Sequence, residues 1–343
     1  MSPSSISAYL QFQDLVQKLL ESQGFRIQRI DMQAQDTGFD LLARRADAVW
    51  AVEVKYYRTR REQASLLEAA ARGLLTSSLK AGVRKAMLVV SCSLSLPLRA
   101  AIQERYGLTI HDRADLTEWA AKAPPLLDEL EALLEIESPA PIDGQSRPKA
   151  PTAEEKDLPN EAPPEDHLGM NLCQRLRALK SGRSTWAAYE RLCAEILRYL
   201  FPRDLLGWRK QQRTDDDLNR FDYVCRIKPT TDFWRFLIDH LNSRYVLFEF
   251  KNYAGQIKQG QILTTEKYLL ERGLRRVAII VTRKGAHRSA VSMVQGAMRE
   301  NGKLMLVLDD HNLCKMLYMR QRGEDPSDLL FDLTDEFLLA LPR

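Results

Sequence analysis

An acidic residue, followed on a later predicted strand by a Glu-x-Lys triplet, occurs twice in this chain. In each triplet the Glu and the Lys alternate with apolar residues, as expected of a β-strand. Side chains two residues apart lie on the same face of a strand, so the Glu and the Lys face the same side. Two carboxylates and an ammonium gathered there are typical of a divalent-metal site for phosphodiester hydrolysis. The two sets are Asp40 with Glu53 and Lys55, and Asp222 with Glu249 and Lys251.

The later set is the more complete of the two. If Asp222 and Glu249 lie on neighbouring strands, the two carboxylates are side by side as oxygen ligands for Mg²⁺. Lys251 then either stabilises the charge that develops on the phosphate, or orients and deprotonates the attacking water. Glu190, on the preceding predicted helix, offers a further ligand. The matching position in the first half is Gln13, whose neutral amide is a poorer Mg²⁺ ligand than a carboxylate.

The earlier set is more compact, because Glu53 follows Asp40 after only 13 residues. Gly38 permits a tight entry into the strand. A Glu-x-Lys triplet alone is also typical of a solvent-facing strand with an ordinary ion pair. The recurrence of the whole pattern, at matching places in two similar orders of elements, favours the metal site over that alternative.

The order of predicted elements is the same in both halves of the chain. Each half begins with a helix and three strands and continues with alternating helices and strands, which indicates a mixed α/β three-layer domain. The repetition predicts two copies of one fold. In the first half the predicted helices and strands are 7–22, 25–31, 38–44, 48–56, 62–80, 86–90, 96–106, 108–110 and 113–134. In the second half they are 185–200, 205–212, 220–228, 244–252, 257–272, 277–281, 287–301 and 304–308, with helices to the end.

A segment rich in Pro, Ala and acidic residues separates the two halves. Because it has almost no large apolar residues, it cannot bury enough surface to fold alone, and we expect a flexible, extended linker. The alternative, a long functional loop inside one domain, is uncommon in compact domains. We therefore expect domains at 1–136 and 169–343, a linker at 137–168, and an insertion with a helix-like run at 229–243 in the second domain.

Basic residues are concentrated in the second half. Residues 1–135 are neutral, residues 136–168 carry a net charge of −5, and residues 169–343 carry +9. This excess favours an anionic polymer as partner, and we expect DNA. The basic and aromatic residues beside the triplets are candidates for phosphate contact or base stacking, with an ordinary solvated surface as the alternative; they are Arg58, Arg60, Arg61, Tyr253 and Lys258.

Composition disfavours several other classes of protein. No apolar run approaches the ~20 residues of a membrane helix, and the N-terminal residues lack the features of a signal peptide. The five cysteines are odd in number and form no Cys-x-x-Cys pair. Their pattern disfavours a disulfide framework and a structural zinc site, and favours the reducing cytoplasm.

The two motifs resemble that of the PD-(D/E)xK nucleases, which have the restriction-endonuclease-like fold, and among these the Mrr-type restriction endonucleases. The likeness extends over about 1–120 and about 184–315. Gln13 and the insertion at 229–243 depart from the family pattern, and Gln13 predicts a weakened first copy. The resemblance implies metal-ligand roles for Asp40, Glu53, Asp222 and Glu249, catalytic roles for Lys55 and Lys251, and an auxiliary ligand role for Glu190.

We therefore expect two restriction-endonuclease-like α/β domains that hydrolyse DNA with Mg²⁺, for which Mn²⁺ can substitute. The Mrr resemblance implies restriction or anti-phage defence, with further defence-system subunits as partners and no membrane association. Two other functions stay open: a non-catalytic nucleic-acid-binding or scaffold subunit of a defence complex, and a junction resolvase or repair nuclease. The assembly is also open between an intrachain pair of the two domains and a homodimer.

Overall fold

The structure is a computed structural model that describes residues 5–29, 38–58, 63–134, 157–159, 167–210 and 221–342. The chain divides into two compact units. The first comprises Met1–Asp166 with Gln321–Glu324, and the second comprises His167–Arg320 with Asp325–Arg343. None of the helices in the described ranges is long and apolar enough to cross a membrane.

The first unit is built on one mixed sheet of five strands. They are β1 (Arg26–Arg29), β2 (Leu41–Arg45), β3 (Ala48–Lys55), β4 (Lys85–Val90) and β5 (Thr109–His111). The strands lie in chain order across the sheet. β1, β2 and β3 pair antiparallel, whereas β3, β4 and β5 pair parallel. Parallel pairing requires crossover connections, and helices supply them here.

Helices cover both faces of this sheet. They are α1 (Ser5–Ser22), α2 (Ala64–Lys80), α3 (Leu96–Tyr106), α4 (Arg113–Ala120) and α5 (Pro124–Leu134). α1, α4 and α5 pack on the face that carries Val52 and Val54. α2 and α3 pack on the opposite face, against Ala51 and Leu88. The alternation of side chains along β3 therefore serves two separate cores in a three-layer domain.

The second unit has a sheet of the same design. Its strands are β6 (Leu205–Lys210), β7 (Tyr223–Ile227), β8 (Tyr245–Lys251), β9 (Val277–Thr282) and β10 (Leu304–Leu308). They also lie in chain order. β6, β7 and β8 pair antiparallel, and β8, β9 and β10 pair parallel. The two sheets thus share strand order and strand direction, which confirms the predicted mixed α/β fold class for both halves.

The helices of the second unit again lie on both faces of its sheet. α7, α8 and α11 pack with Phe248 and Ile279, whereas α9 and α10 pack with Leu247 and Ile280. The helices are α6 (Leu168–Ala178), α7 (Trp186–Leu200), α8 (Asp232–Asp239), α9 (Gln259–Glu266), α10 (Arg288–Asn301), α11 (Asp310–Gln321) and α12 (Ser327–Leu339).

Two predicted helices have different bounds in the structure, and one helix of the structure was not predicted. The single helix predicted at 113–134 is two helices, because Pro124 and Pro125 cannot continue a helix but are tolerated in the first turn of the next one. The helix predicted at 257–272 ends at Glu266, and Leu270 instead pairs with Arg275 in an isolated bridge. α6 was not predicted, although its buried leucines have helical spacing.

The insertion and the linker differ in how much the structure describes. α8 lies within 229–243 and buries Phe233 and Trp234 in the core of the second unit. Most of the predicted linker at 137–168 lies outside the described residues, so its flexibility stays a prediction. Leu158 is described, and it packs into a core of the first unit while its N–H donates to the carbonyl of Arg84 at 2.8 Å.

The structure contains one disulfide, although the sequence disfavours a disulfide framework. Cys173 on α6 and Cys314 on α11 form a disulfide, with their Cα atoms 5.2 Å apart. They are separated by 141 residues, and local cysteine spacing carries no information on contacts of that range. Cys92, Cys193 and Cys225 are buried and form no disulfide within the described residues.

Candidate functional site

The second unit places Asp222 beside the Glu-x-Lys triplet of β8. Asp222 precedes the first residue of β7 rather than lying within a strand as predicted. The register pairs Tyr223 with Phe248, so Asp222 comes next to Glu249. One carboxylate oxygen, Oδ2 of Asp222, accepts the backbone N–H of Phe250 at 2.8 Å. This hydrogen bond holds the acidic residue against the strand that carries the triplet.

Glu249 and Lys251 form a close ion pair in this site. Nζ of Lys251 donates to Oε2 of Glu249 at 2.8 Å, and Glu249 is only 3% exposed. Burial raises the pKa of Glu249 to about 7; Lys251 opposes that rise and Asp222 adds to it. Burial also lowers the pKa of Lys251, but the negative charges of Glu249 and Asp222 outweigh it and the pKa is raised, which favours the ammonium form.

Glu190 is buried on α7. Neither of its carboxylate oxygens has a hydrogen-bond partner among the described residues, and Nζ of Lys210 lies 3.2 Å from Oε1. Within the same part of the chain, Oε1 of Glu249 is also buried without a hydrogen bond. A buried carboxylate oxygen without donors is costly unless a cation satisfies it. These oxygens therefore suit a hard divalent cation.

The three acidic side chains do not form a closed cluster. Among the described residues, no group of three or more His, Cys, Asp or Glu side chains is arranged to hold a metal ion. The structure thus brings Asp222, Glu249 and Lys251 together, while Glu190 pairs with Lys210. The role of Glu190 as an additional ligand stays a prediction.

The first unit repeats the central geometry. Oδ2 of Asp40 accepts the backbone N–H of Val54 at 2.7 Å, and Nζ of Lys55 lies 2.6 Å from Oε1 of Glu53. Burial raises the pKa of Glu53 to about 7; Lys55 opposes that rise and Asp40 adds to it. The predicted need for glycine at 38 is confirmed, because Gly38 has a φ of 73°.

Tyr9 distinguishes the first site from the second. Its hydroxyl donates to Oδ1 of Asp40 at 2.7 Å, so both oxygens of that carboxylate accept a hydrogen bond. Tyr9 stands four residues before Gln13 on α1, and residues at that spacing lie on the same face of a helix. By sequence position the second unit has Trp186 four residues before Glu190, and an indole cannot offer the same hydroxyl.

Sequence reasoning missed two residues that shape these sites. The helical spacing of Tyr9 and Gln13 places both on one face of α1, but this spacing does not indicate the contact of Tyr9 with Asp40. Asn252 directly follows Lys251, and its Nδ2 donates to the carbonyl of Gly182 and to the hydroxyl of Thr185, both at 3.0 Å. Asn252 thereby ties the end of β8 to the segment that leads into α7.

The nucleic-acid candidates are only partly described. Arg60 and Arg61 lie outside the described residues. Arg58 is half-buried, whereas Tyr253 and Lys258 are exposed in the segment that follows β8. Their contact with nucleic acid stays a prediction.

Comparison with known proteins gives one informative match. The family model Mrr_cat, described as a restriction endonuclease, matches residues 7–120. No curated protein matches the chain significantly. A solved crystal structure described as a protein of unknown function, AF1548, is 16% identical, covering 37% of this chain and 98% of its own, with a TM-score of 0.25. Residues 7–120, which hold Asp40, Glu53 and Lys55, thus match the restriction endonuclease family, as the sequence motif predicted.

Proposed function

We propose that this chain is a Mg²⁺-dependent endonuclease that hydrolyses DNA phosphodiester bonds, and that its second unit holds the more active of two centres. The observation that carries the proposal is the arrangement common to both units. In each, an aspartate accepts the N–H of the middle residue of a Glu-x-Lys triplet, and the Glu and Lys of that triplet are paired and largely buried.

The chemistry assigned to each residue follows from its position. Asp222 and Glu249 would hold Mg²⁺, with Glu190 as a further ligand. When bound, Mg²⁺ activates water and neutralises charge on the phosphate. Lys251, as an ammonium beside Glu249, orients the attacking water and stabilises negative charge on a phosphate oxygen. Asp40, Glu53 and Lys55 have the same roles in the first unit.

The assignment of the second unit to the same family as the first is part of this proposal. It is supported by the shared strand order and by the matching hydrogen bonds of Asp40 and Asp222. The greater activity of the second unit is supported by the carboxylate at Glu190, where the first unit has Gln13.

The alternative role for the first unit is to bind DNA or a partner protein without cutting, and the geometry of its site favours this role. Oδ1 of Asp40 accepts the hydroxyl of Tyr9, and Gln13 stands where the second unit has Glu190, so the first site has one carboxylate fewer. In this version the first unit positions DNA or a partner protein of a defence complex while the second unit cuts. We place either activity in the cytoplasm, in restriction of foreign DNA.

The test is cleavage by the purified full chain. Supercoiled plasmid, linear duplex, methylated duplex and branched DNA are each incubated with Mg²⁺ or Mn²⁺, with EDTA as the metal-free control. The proposal predicts products that depend on metal and that Asp222→Asn removes. Binding of DNA with no cleavage of any substrate would favour the non-catalytic subunit, whereas cleavage confined to branched DNA would favour the junction resolvase.

A further inference from the structure

Two large aromatic side chains are exposed next to the second candidate site. Trp186 is 46% exposed and Tyr253 is 50% exposed. Trp186 begins α7, one helical turn before Glu190, and Tyr253 lies two residues after Lys251. Trp186 therefore lies near a proposed metal ligand, and Tyr253 lies near the proposed catalytic lysine.

A hydrogen bond brings the backbones of these two residues together. Nδ2 of Asn252 donates to Oγ1 of Thr185 at 3.0 Å. Thr185 directly precedes Trp186, and Asn252 directly precedes Tyr253. The N–H of Gly182 also donates to the carbonyl of Asn252 at 2.9 Å. The two exposed rings thus belong to one small region of the surface.

The surrounding charge is positive. Lys180, Arg183 and Lys258 are exposed in the two segments that carry the aromatic residues. None of the three forms an ion pair with any residue in the described part of the chain. No acidic residue occurs at 180–189 or at 252–265. Exposed aromatic rings among unpaired cations are the combination that binds single-stranded nucleic acid, by stacking on bases and neutralising phosphates.

The matching positions in the first unit lack this character. Tyr57, two residues after Lys55, is 3% exposed. Tyr9, at the position of Trp186, has its hydroxyl bonded to Asp40. The exposed aromatic pair is therefore a property of the second site and not of the fold.

We propose that Trp186 and Tyr253 form a stacking surface for unpaired DNA bases, so that the second site acts on single-stranded or unstacked DNA. The proposal rests on the proposed function, because it names the substrate of that site. Lys180, Arg183 and Lys258 contact the phosphates on either side of the stacked base. Asn252 is a positioning residue, since it joins the two segments that carry the rings.

Binding without metal tests this proposal, because no cleavage then intervenes. The full chain in EDTA is titrated into fluorescein-labelled oligonucleotides of about 20 nucleotides, as single-stranded DNA, the matching duplex, and single-stranded RNA. Trp186→Ala and Tyr253→Ala should each weaken binding of single-stranded DNA by about 5- to 100-fold. Duplex binding should change by less than about threefold, since paired bases stay in their own stack.

Conservative variants and a matched control show whether binding depends on the aromatic rings. Trp186→Phe and Tyr253→Phe retain a stacking ring, so they should stay within about threefold of wild type for single-stranded DNA. Leu270→Ala, at a residue of the same unit that is 51% exposed, should change nothing.

Three results would overturn the proposal. They are single-stranded affinity unchanged in both alanine variants, equal losses for single strand and duplex, or RNA bound at least about tenfold more tightly than DNA. Because this binding needs no metal, its failure is distinct from failure of the proposed hydrolysis, which is read from wild-type cleavage with Mg²⁺.

Discussion

The carboxylate of Asp222 accepts a hydrogen bond of 2.8 Å from the backbone N–H of Phe250. Phe250 stands between Glu249 and Lys251, so this bond fixes the acidic residue relative to the whole triplet. A hydrogen bond to a charged group contributes about 1.5–3 kcal/mol. Substitution by alanine would leave the N–H of Phe250 without that partner. Asn is the better probe, since its amide oxygen can still accept this bond while the negative charge is lost.

We expect Gln13 on α1 to set the metal affinity of the first site and Glu190 on α7 to set that of the second. Gln13→Glu adds a carboxylate to the first site, and Glu190→Gln removes one from the second. We expect Mn²⁺ to bind about tenfold more tightly after the first change and about tenfold more weakly after the second, because hard cations prefer charged oxygen ligands. Isothermal titration measures both, with the other site silenced by Asp222→Asn or Asp40→Asn. Unchanged affinity in both variants would remove α1 and α7 from the metal sites.

The hydroxyl of Tyr9 should lower the metal affinity of the first site, because it donates a hydrogen bond to Oδ1 of Asp40. In the Asp222→Asn background, Tyr9→Phe should tighten Mn²⁺ binding by at least about tenfold, because a hydrogen bond to a charged carboxylate contributes about 1.5–3 kcal/mol. Electron paramagnetic resonance of free Mn²⁺ reports the change. Tyr106→Phe is the matched control, since the buried hydroxyl of Tyr106 has no hydrogen-bond partner among the described residues. Weaker Mn²⁺ binding in Tyr9→Phe would show instead that the hydroxyl supports the ligand.

Asp204 should make the second unit less stable as pH rises. It is buried just before β6; burial raises its pKa to about 6, the hydroxyl of Thr230 opposes that rise, and Asp325 adds to it. Between its unfolded pKa of about 3.9 and this value, the folded state holds the proton more tightly, so stability falls as pH rises through that window. The free energy of unfolding of wild type, relative to Asp204→Asn, should fall by about 2 kcal/mol from pH 4.5 to 7.5.

Urea unfolding followed by tryptophan fluorescence measures this difference at the two pH values. Asp239→Asn, at an exposed residue on α8, serves as the control. If the free energies of unfolding of wild type and Asp204→Asn differ by the same amount at both pH values, the fold does not raise the pKa of Asp204.

The two centres should contribute unequally to cleavage of a duplex. In single-turnover reactions on supercoiled plasmid, Asp222→Asn should cost at least about a hundredfold in rate and Asp40→Asn clearly less. Nicked circles from either variant, with linear product only from wild type, would support an intrachain pair that cuts one strand each. Linear product from Asp40→Asn at the wild-type rate would exclude that pair and favour a homodimer of second units. Complete loss in both variants would show that neither centre works alone.

The central part of each site could be predicted from sequence because it is local. Alternation along β3 and β8 decides that Glu and Lys share a face, and neighbouring strands bring in the aspartate. The strand runs were recognisable by their apolar residues, and the structure shifts their ends by a few residues only. Even α8, inside the insertion, was visible as a helix-like run.

Contacts between distant segments could not be predicted. The hydroxyl of Tyr9 meets Asp40 across 31 residues, and the disulfide joins cysteines 141 residues apart. The exposure of Trp186 is likewise not evident from the sequence, since a tryptophan in an amphipathic helix is typical of a core. Each of these depends on how helices pack on the sheet, and no short-range pattern records that packing.

Substitution of Lys251 separates catalysis from metal binding in the second site. Cleavage with Mg²⁺ and binding of Mn²⁺ are measured for wild type, Lys251→Met and the control Lys315→Met, which changes an exposed lysine on α11. We predict that Lys251→Met loses at least about a hundredfold in cleavage rate, keeps Mn²⁺ binding within about tenfold, and that the control behaves as wild type. Wild-type cleavage by Lys251→Met would contradict the assignment of this site as the nuclease centre.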